Sequence, residues 1–149
     1  MVERHNPGTA APAGRGRVPP DHIVLADDNA DMRDYLRRLL SEYYTVEAVA
    51  NGVEALAAIR RQRPDLVLAD VMMPELDGFE LLRALQADLA TVTLPVMLLS
   101  AWAGEEATVE GLEAGANDYL VKPFTAREVL TRVAARLEIV HTRAEATHG

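Results

Sequence analysis

Five short apolar runs, Ile23 to Ala26, Val46 to Ala50, Leu66 to Ala69, Val96 to Leu99 and Tyr119 to Val121, alternate with longer stretches of helical period. No other feature restricts the fold so strongly. Four of the runs are nearly continuous in apolar residues, the pattern of parallel strands covered on both faces; the second carries Glu47 and reads as an edge strand. Parallel strands need crossover connections, and right-handed crossovers place helices on both faces of one sheet. The expected class is doubly wound α/β, with five strands and five helices.

The helices declare their ends. Asn29 can cap a first helix whose Met32, Leu36, Leu39 and Leu40 share a face, and Asn51 with Glu54 resembles a capping box ahead of Leu56 and Ile59. Pro64 stops the second helix. Asp77 with Glu80 opens a third, Glu105 and Glu106 suit the first turn of a fourth, and Gly115 ends it. Thr125 with Glu128 is the clearest capping box and starts a fifth helix along Val129, Val133 and Leu137.

Residues 1–20 hold Pro7, Gly8, Pro12, Gly14, Gly16, Pro19 and Pro20 with almost no large apolar side chain, so a disordered tail is expected there. One domain over 21–139 follows, with 140–149 as a helical extension or linker. At 149 residues the chain has room for one hydrophobic core. A net charge of −8 argues against a chain whose work is gripping a nucleic-acid backbone. With no cysteine, disulfides and thiolate metal sites are excluded. No run approaches the length of a membrane span and the N-terminus lacks a signal-peptide core, so a cytoplasmic protein without membrane contact is expected.

In doubly wound sheets ligands bind beyond the carboxyl ends of the strands. Those ends read Asp27 and Asp28 after the first run, Asp70 after the third, Ser100 after the fourth, and Lys122 with Pro123 after the fifth. Carboxylates converging from two strands repel one another unless a hard cation holds them, and Mg²⁺ takes a few carboxylates together with water and phosphate oxygens. A lysine and a serine hydroxyl can bind phosphoryl oxygens, which leaves one carboxylate to attack phosphorus and become an acyl phosphate. Asp70 stands in the right place for that attack.

The segments LADDN at 25–29, DVMMPELDG at 70–78, LLSA at 98–101 and DYLVKPF at 118–124 resemble response-regulator receiver domains of two-component systems. The resemblance extends from residue 22 to about 139. It implies a flavodoxin-like sheet of order 2-1-3-4-5, the order of a receiver that serves as a standard example of this fold. It also implies that Asp70 is the phosphoacceptor and that Asp27 and Asp28, with Asp70 and the Met72 backbone carbonyl, hold Mg²⁺. Lys122 and Ser100 then contact the phosphoryl group, Ser100 and Tyr119 form a switch, and a cis peptide precedes Pro123. Met72 and Trp102 occupy positions that in receivers flank the path of hydrolytic water.

Single residues of this set have plainer readings. Asp27 or Asp28 alone is a turn or cap residue, Lys122 a solvated lysine, Ser100 a loop hydroxyl, Tyr119 and Met73 core. Their order at four strand ends outweighs those readings. His5, His22, His141 and His148 lie in no helical-hairpin pattern and are expected to be surface residues without a phosphotransfer role.

An Asp-based phosphohydrolase of the haloacid dehalogenase type needs a second Asp two residues after its nucleophile, where Met72 stands. A pseudo-receiver would lack the acidic pair, the acceptor or the lysine. The resemblance therefore implies a phosphoacceptor with self-catalysed phosphorylation and dephosphorylation, not an enzyme in the ordinary sense. Its partners are a histidine kinase or histidine phosphotransfer domain, and an output domain or downstream protein through the face of the fourth helix, fifth strand and fifth helix. The wording LLSAWAGEEATVEGLEAGANDYLVKPF with the continuing helix RLEIVHTRAEA resembles receivers fused to hybrid sensor histidine kinases. A stand-alone response regulator or the regulatory part of a truncated transcription factor is the alternative. Ala107 and Thr108 replace the Asp-Arg pair that winged-helix regulators use for dimer salt bridges.

Overall fold

The computed structural model describes residues 20–101 and 115–148, with side chains to residue 141 in the second segment. Five strands form one parallel sheet: β1 His22–Ala26, β2 Thr45–Val49, β3 Leu66–Asp70, β4 Val96–Ser100 and β5 Asp118–Val121, in the order β2-β1-β3-β4-β5. The four helices among the described residues are α1 Ala30–Ser41, α2 Gly52–Arg61, α3 Gly78–Gln86 and α4 Ala126–His148. Trp102 and the helix expected between Glu105 and Gly115, with Ala107 and Thr108, lie outside the described residues, as does the N-terminal segment 1–19 with His5.

The sheet is covered on both faces because its central strands are apolar at every position over Ile23–Ala26, Leu66–Ala69 and Val96–Leu99. Val24, Ala26, Val67, Ala69, Val96 and Leu98 point to one face and meet Ala55 and Ile59 of α2 and Leu81 and Leu85 of α3. Ile23, Leu25, Leu66, Leu68, Met97 and Leu99 point to the other, against Leu36 and Leu40 of α1 and Val129, Val133 and Leu137 of α4. Fully burying each such aliphatic side chain contributes roughly 1.5–3 kcal/mol, so this two-sided core fixes strand register and with it the alignment of the strand ends. The edge strand β2 is the exception: its side chains are half-buried or exposed, and Glu47 pairs with Arg61.

Local signals set the helix starts. Asn29 accepts the Met32 N–H at 2.8 Å, and Asp77 with Glu80 forms a reciprocal capping box. Thr125 and Glu128 exchange the same pair of bonds ahead of α4. Asn51 accepts the Glu54 N–H, but the Glu54 carboxylate reaches one residue further back, to Ala50 N–H.

Two histidines depart from the surface expectation. His22 is half-buried at the start of β1, and His141 is bonded at 2.8 Å to the buried Asp21. The cause is the length of α4, which carries His141 past the amino end of the sheet and over the chain's entry into β1.

Candidate functional site

The registers place the sequence-predicted residues side by side. Ala26 pairs with Ala69, Asp70 with Leu99 and Ser100 with Val121, so Asp27, Asp70, Ser100 and Lys122 form a row along the carboxyl edge. The ladder bonds run on past the strand ends: Asp27 N–H to Val49 O at 3.1 Å, Val71 N–H to Leu99 O at 2.8 Å and Lys122 N–H to Ser100 O at 2.7 Å. The edge is rigid for that reason.

One carboxylate oxygen from each of Asp27, Asp28 and Asp70 lies within 4.8 Å of the others. Asp27 is fully buried, Asp70 5% exposed and Asp28 exposed. The Lys122 ammonium sits 3.0 Å from Asp70 Oδ2 and 3.5 Å from Asp27 Oδ2. Met72 N–H donates to Asp70 Oδ1 at 3.2 Å and Asn29 N–H to Asp27 Oδ1 at 2.9 Å. Three carboxylates against one ammonium leave a surplus of negative charge, and an all-oxygen donor set open to water on one side fits a hard divalent cation such as Mg²⁺.

The electrostatics carry the mark of that surplus. The Asp27 carboxyl is raised from 3.8 to about 6, chiefly by burial, with the Asp70 charge adding to the rise and the Asn29 N–H bond and Lys122 opposing it. Burial would lower the Lys122 ammonium, but its hydrogen bond to Asp70 and the charges of Asp27 and Asp70 raise it overall, so it is a fixed positive charge at neutral pH.

The chain after Asp70 is held close. A Cβ on Gly78 would stand 2.7 Å from the Asp70 carbonyl oxygen, so only glycine lets α3 start directly behind the acidic residue. Glu75 has φ +72° and is spanned by a Leu76 N–H to Pro74 O bond of 2.8 Å, a γ-turn that swings the chain back toward Asp77. Met72 projects outward, 55% exposed. The Lys122–Pro123 peptide is cis. Ser100 is fully buried at the end of β4, and Tyr119 is buried one strand over with a hydroxyl that makes no hydrogen bond among the described residues.

Sequence reasoning passed over Arg33. Its guanidinium donates to the Asp27 backbone carbonyl at 2.8 Å from the first turn of α1. The signal was present in the spacing, since Arg33 follows the Asn29 cap by four residues and so lies over the loop that holds the acidic pair.

The family model described as the response regulator receiver domain matches residues 23–134. Response regulator MprA of Mycobacterium sp. (strain KMS) is 46% identical over 119 residues, 79% of this chain and 51% of that protein. MprA of Mycobacterium leprae is 46% identical over 116 residues, 77% of this chain and 50% of its own length. The chain thus spans about half the length of the curated relatives it matches. Among solved structures, a putative response regulator from Chloroflexus aurantiacus is 37% identical with a TM-score of 0.76, over 80% of this chain and 98% of that one. The signal receiver domain of a histidine kinase from Syntrophus aciditrophicus is 36% identical with a TM-score of 0.70, over 78% and 89%.

Proposed function

Because this chain belongs to the response regulator receiver domain family, we propose that it accepts a phosphoryl group on Asp70, with Mg²⁺ held beside it, and relays the signal by switching conformation. The observation that carries the reading is the convergence of three carboxylates and one lysine at the carboxyl edge, where Lys122 lies nearer Asp70, at 3.0 Å, than the fully buried Asp27, at 3.5 Å. An Asp70 oxygen attacks phosphorus, an acyl phosphate bond forms, and the donor leaves with the electron pair of its broken bond to phosphorus. Lys122 neutralises a phosphoryl oxygen, and the Met72 N–H holds the carboxylate's rotamer. Asp27, Asp28, Asp70 and the Met72 carbonyl are the residues that would hold Mg²⁺, which supplies the positive charge that lets an anion approach an acidic site.

The switch assigned to Ser100 and Tyr119 has its own support. A buried tyrosine hydroxyl without a partner costs about 1–3 kcal/mol, and the Tyr119 hydroxyl has none among the described residues, which favours an outward, hydrated position as the alternative state. Two positions of similar energy suit a side chain whose balance phosphorylation tips through Ser100.

A histidine kinase or histidine phosphotransfer domain is the donor this reading implies, in the cytoplasm. No helix among the described residues is long and apolar enough to cross a membrane. For the wider chain, the receiver of the Syntrophus kinase favours a hybrid-kinase context. The MprA relatives, twice as long as the matched segment, favour a response regulator with a further output region.

Incubation with acetyl phosphate and Mg²⁺ is expected to add one phosphoryl group, seen by intact mass, and a chelator is expected to abolish the gain. Unchanged labelling after chelation refutes the cation's role; no labelling in Mg²⁺ refutes the acceptor function.

Phosphoryl lifetime is a second expected result. The Met72 thioether, exposed at the mouth of the site, is a weak acceptor, and the Trp102 indole offers only a donor, so neither can hold a hydrolytic water well. Hydrolysis should be slow, and Met72→Asn, Trp102→Glu or the double variant should speed phosphate loss about tenfold, equivalent to about 1.4 kcal/mol of barrier. If none of the three loses phosphate faster than wild type, these side chains do not time the signal.

A further inference from the structure

We propose that Arg33 is a positioning residue for the cation site, acting on Asp28 through the peptide plane it clamps. The inference rests on the reading of Asp27 and Asp28 as the acidic pair that holds Mg²⁺.

Asp27 is fixed at every polar atom. Its N–H donates to Val49 O, Oδ1 accepts from Asn29 N–H, Oδ2 faces Lys122, and its carbonyl accepts from Arg33 Nη1 at 2.8 Å. Asp28 is exposed, with no such scaffold of its own among the described residues. The Asp27 carbonyl, however, belongs to the same rigid peptide plane as the Asp28 nitrogen and Cα. Holding that carbonyl sets the tilt of the plane, and the tilt sets the direction in which the Asp28 side chain leaves the backbone. Arg33 therefore does for the exposed ligand what direct hydrogen bonds do for the buried one.

The guanidinium suits the task. Its anchor is the first turn of α1, itself fastened by the Asn29 cap and the Arg33 N–H to Asn29 O bond of 2.9 Å. The side chain is half-buried and forms no ion pair among the described residues; its guanidinium hydrogen bond there is to the Asp27 carbonyl. A cation placed there for its charge would work against the site, because it repels Mg²⁺. Charge and position thus predict opposite signs.

The test is calorimetric titration of Mg²⁺ into the full chain without any phosphodonor, on wild type, Arg33→Gln, Arg33→Lys and, as control, Arg37→Gln, an exposed α1 arginine paired with Asp34. Loss of an outer-shell partner weakens metal binding about 10-fold or more, so Arg33→Gln is expected to raise the Mg²⁺ Kd about tenfold. Arg33→Lys, with the charge kept on a shorter stem, should fall between, and Arg37→Gln should match wild type. Phosphorylation of Arg33→Gln by acetyl phosphate should then recover toward wild type as Mg²⁺ is raised to saturation, a recovery that general damage to the fold would not allow. Equal or tighter Mg²⁺ binding by Arg33→Gln overturns the proposal while leaving the acceptor reading intact. Absence of Mg²⁺ binding by wild type overturns both.

Discussion

An Asp70→Asn variant treated with acetyl phosphate and Mg²⁺ is expected to gain no phosphoryl adduct on any residue, whereas wild type gains one that is labile to base and hydroxylamine, as an acyl phosphate is. The loss should be complete because the amide has no charged oxygen with which to attack. Asp70 is singled out from its two neighbours by geometry. Asp27 is fully buried, so a phosphorus centre cannot reach it, and Asp28 is exposed but makes no ion pair with Lys122. Asp70 combines limited access with a lysine at 3.0 Å and a backbone N–H at 3.2 Å. The substitution is nearly isosteric, and the amide oxygen can keep the Met72 N–H bond, so the fold should persist. Peptide mapping of wild type after borohydride trapping locates the adduct. A labile adduct that survives in Asp70→Asn, on Asp27 or Asp28, would sink the assignment. Lys122→Gln should still be labelled, but more slowly, since it loses the charge that meets the phosphoryl oxygens and keeps the nucleophile.

The residues of the edge could be read in sequence for a physical reason. Strands buried on both faces are uniformly apolar, so the first polar residue after each run, Asp27, Asp70, Ser100 and Lys122, marks the point where the sheet ends and chemistry begins. Caps were legible because Asn29, Asp77 and Thr125 act within a few residues of themselves. What stayed hidden depends on distances between segments. Gly52 has to be glycine because a side chain there would overlap the Leu76 carbonyl, and nothing near Gly52 in sequence announces that neighbour. The contact of His141 with Asp21 joins residues 120 apart, and it follows from how far α4 runs, which periodicity alone does not fix. Local rules thus gave the elements and the site's members; long-range packing decided how tightly each is held.

The tightness has a cost in stability. Asp27 titrates near 6 in the folded chain and near 3.8 when unfolded, with burial the main cause and Asp70 adding to it. An acid whose folded pKa is raised contributes stability that is fully present below about 3.8 and is lost as pH rises through about 6. At pH 7 without divalent cation the ionised Asp27 therefore destabilises the fold, by about 1–3 kcal/mol at 1.36 kcal/mol per pKa unit, with part of the shift shared with Asp70. Asp27→Asn removes the charge while its amide oxygen can still accept the Asn29 N–H. The variant should unfold several degrees above wild type at pH 7 in chelator, and the gap should close as pH falls from 7 to 4. Taking the difference between the two proteins separates Asp27 from every other carboxylate that titrates in this range. Added Mg²⁺ should act in the opposite sense, because Asp27 must be ionised to hold it: wild type is stabilised at pH 7 and progressively less below pH 6, and Asp27→Asn gains less at any pH. Thermal unfolding of both proteins from pH 4 to 8, with chelator and with Mg²⁺, measures all of this. If Asp27→Asn is less stable than wild type at pH 7 in chelator, the buried carboxylate is not strained by its neighbours, and its ion pair with Lys122 outweighs the burial.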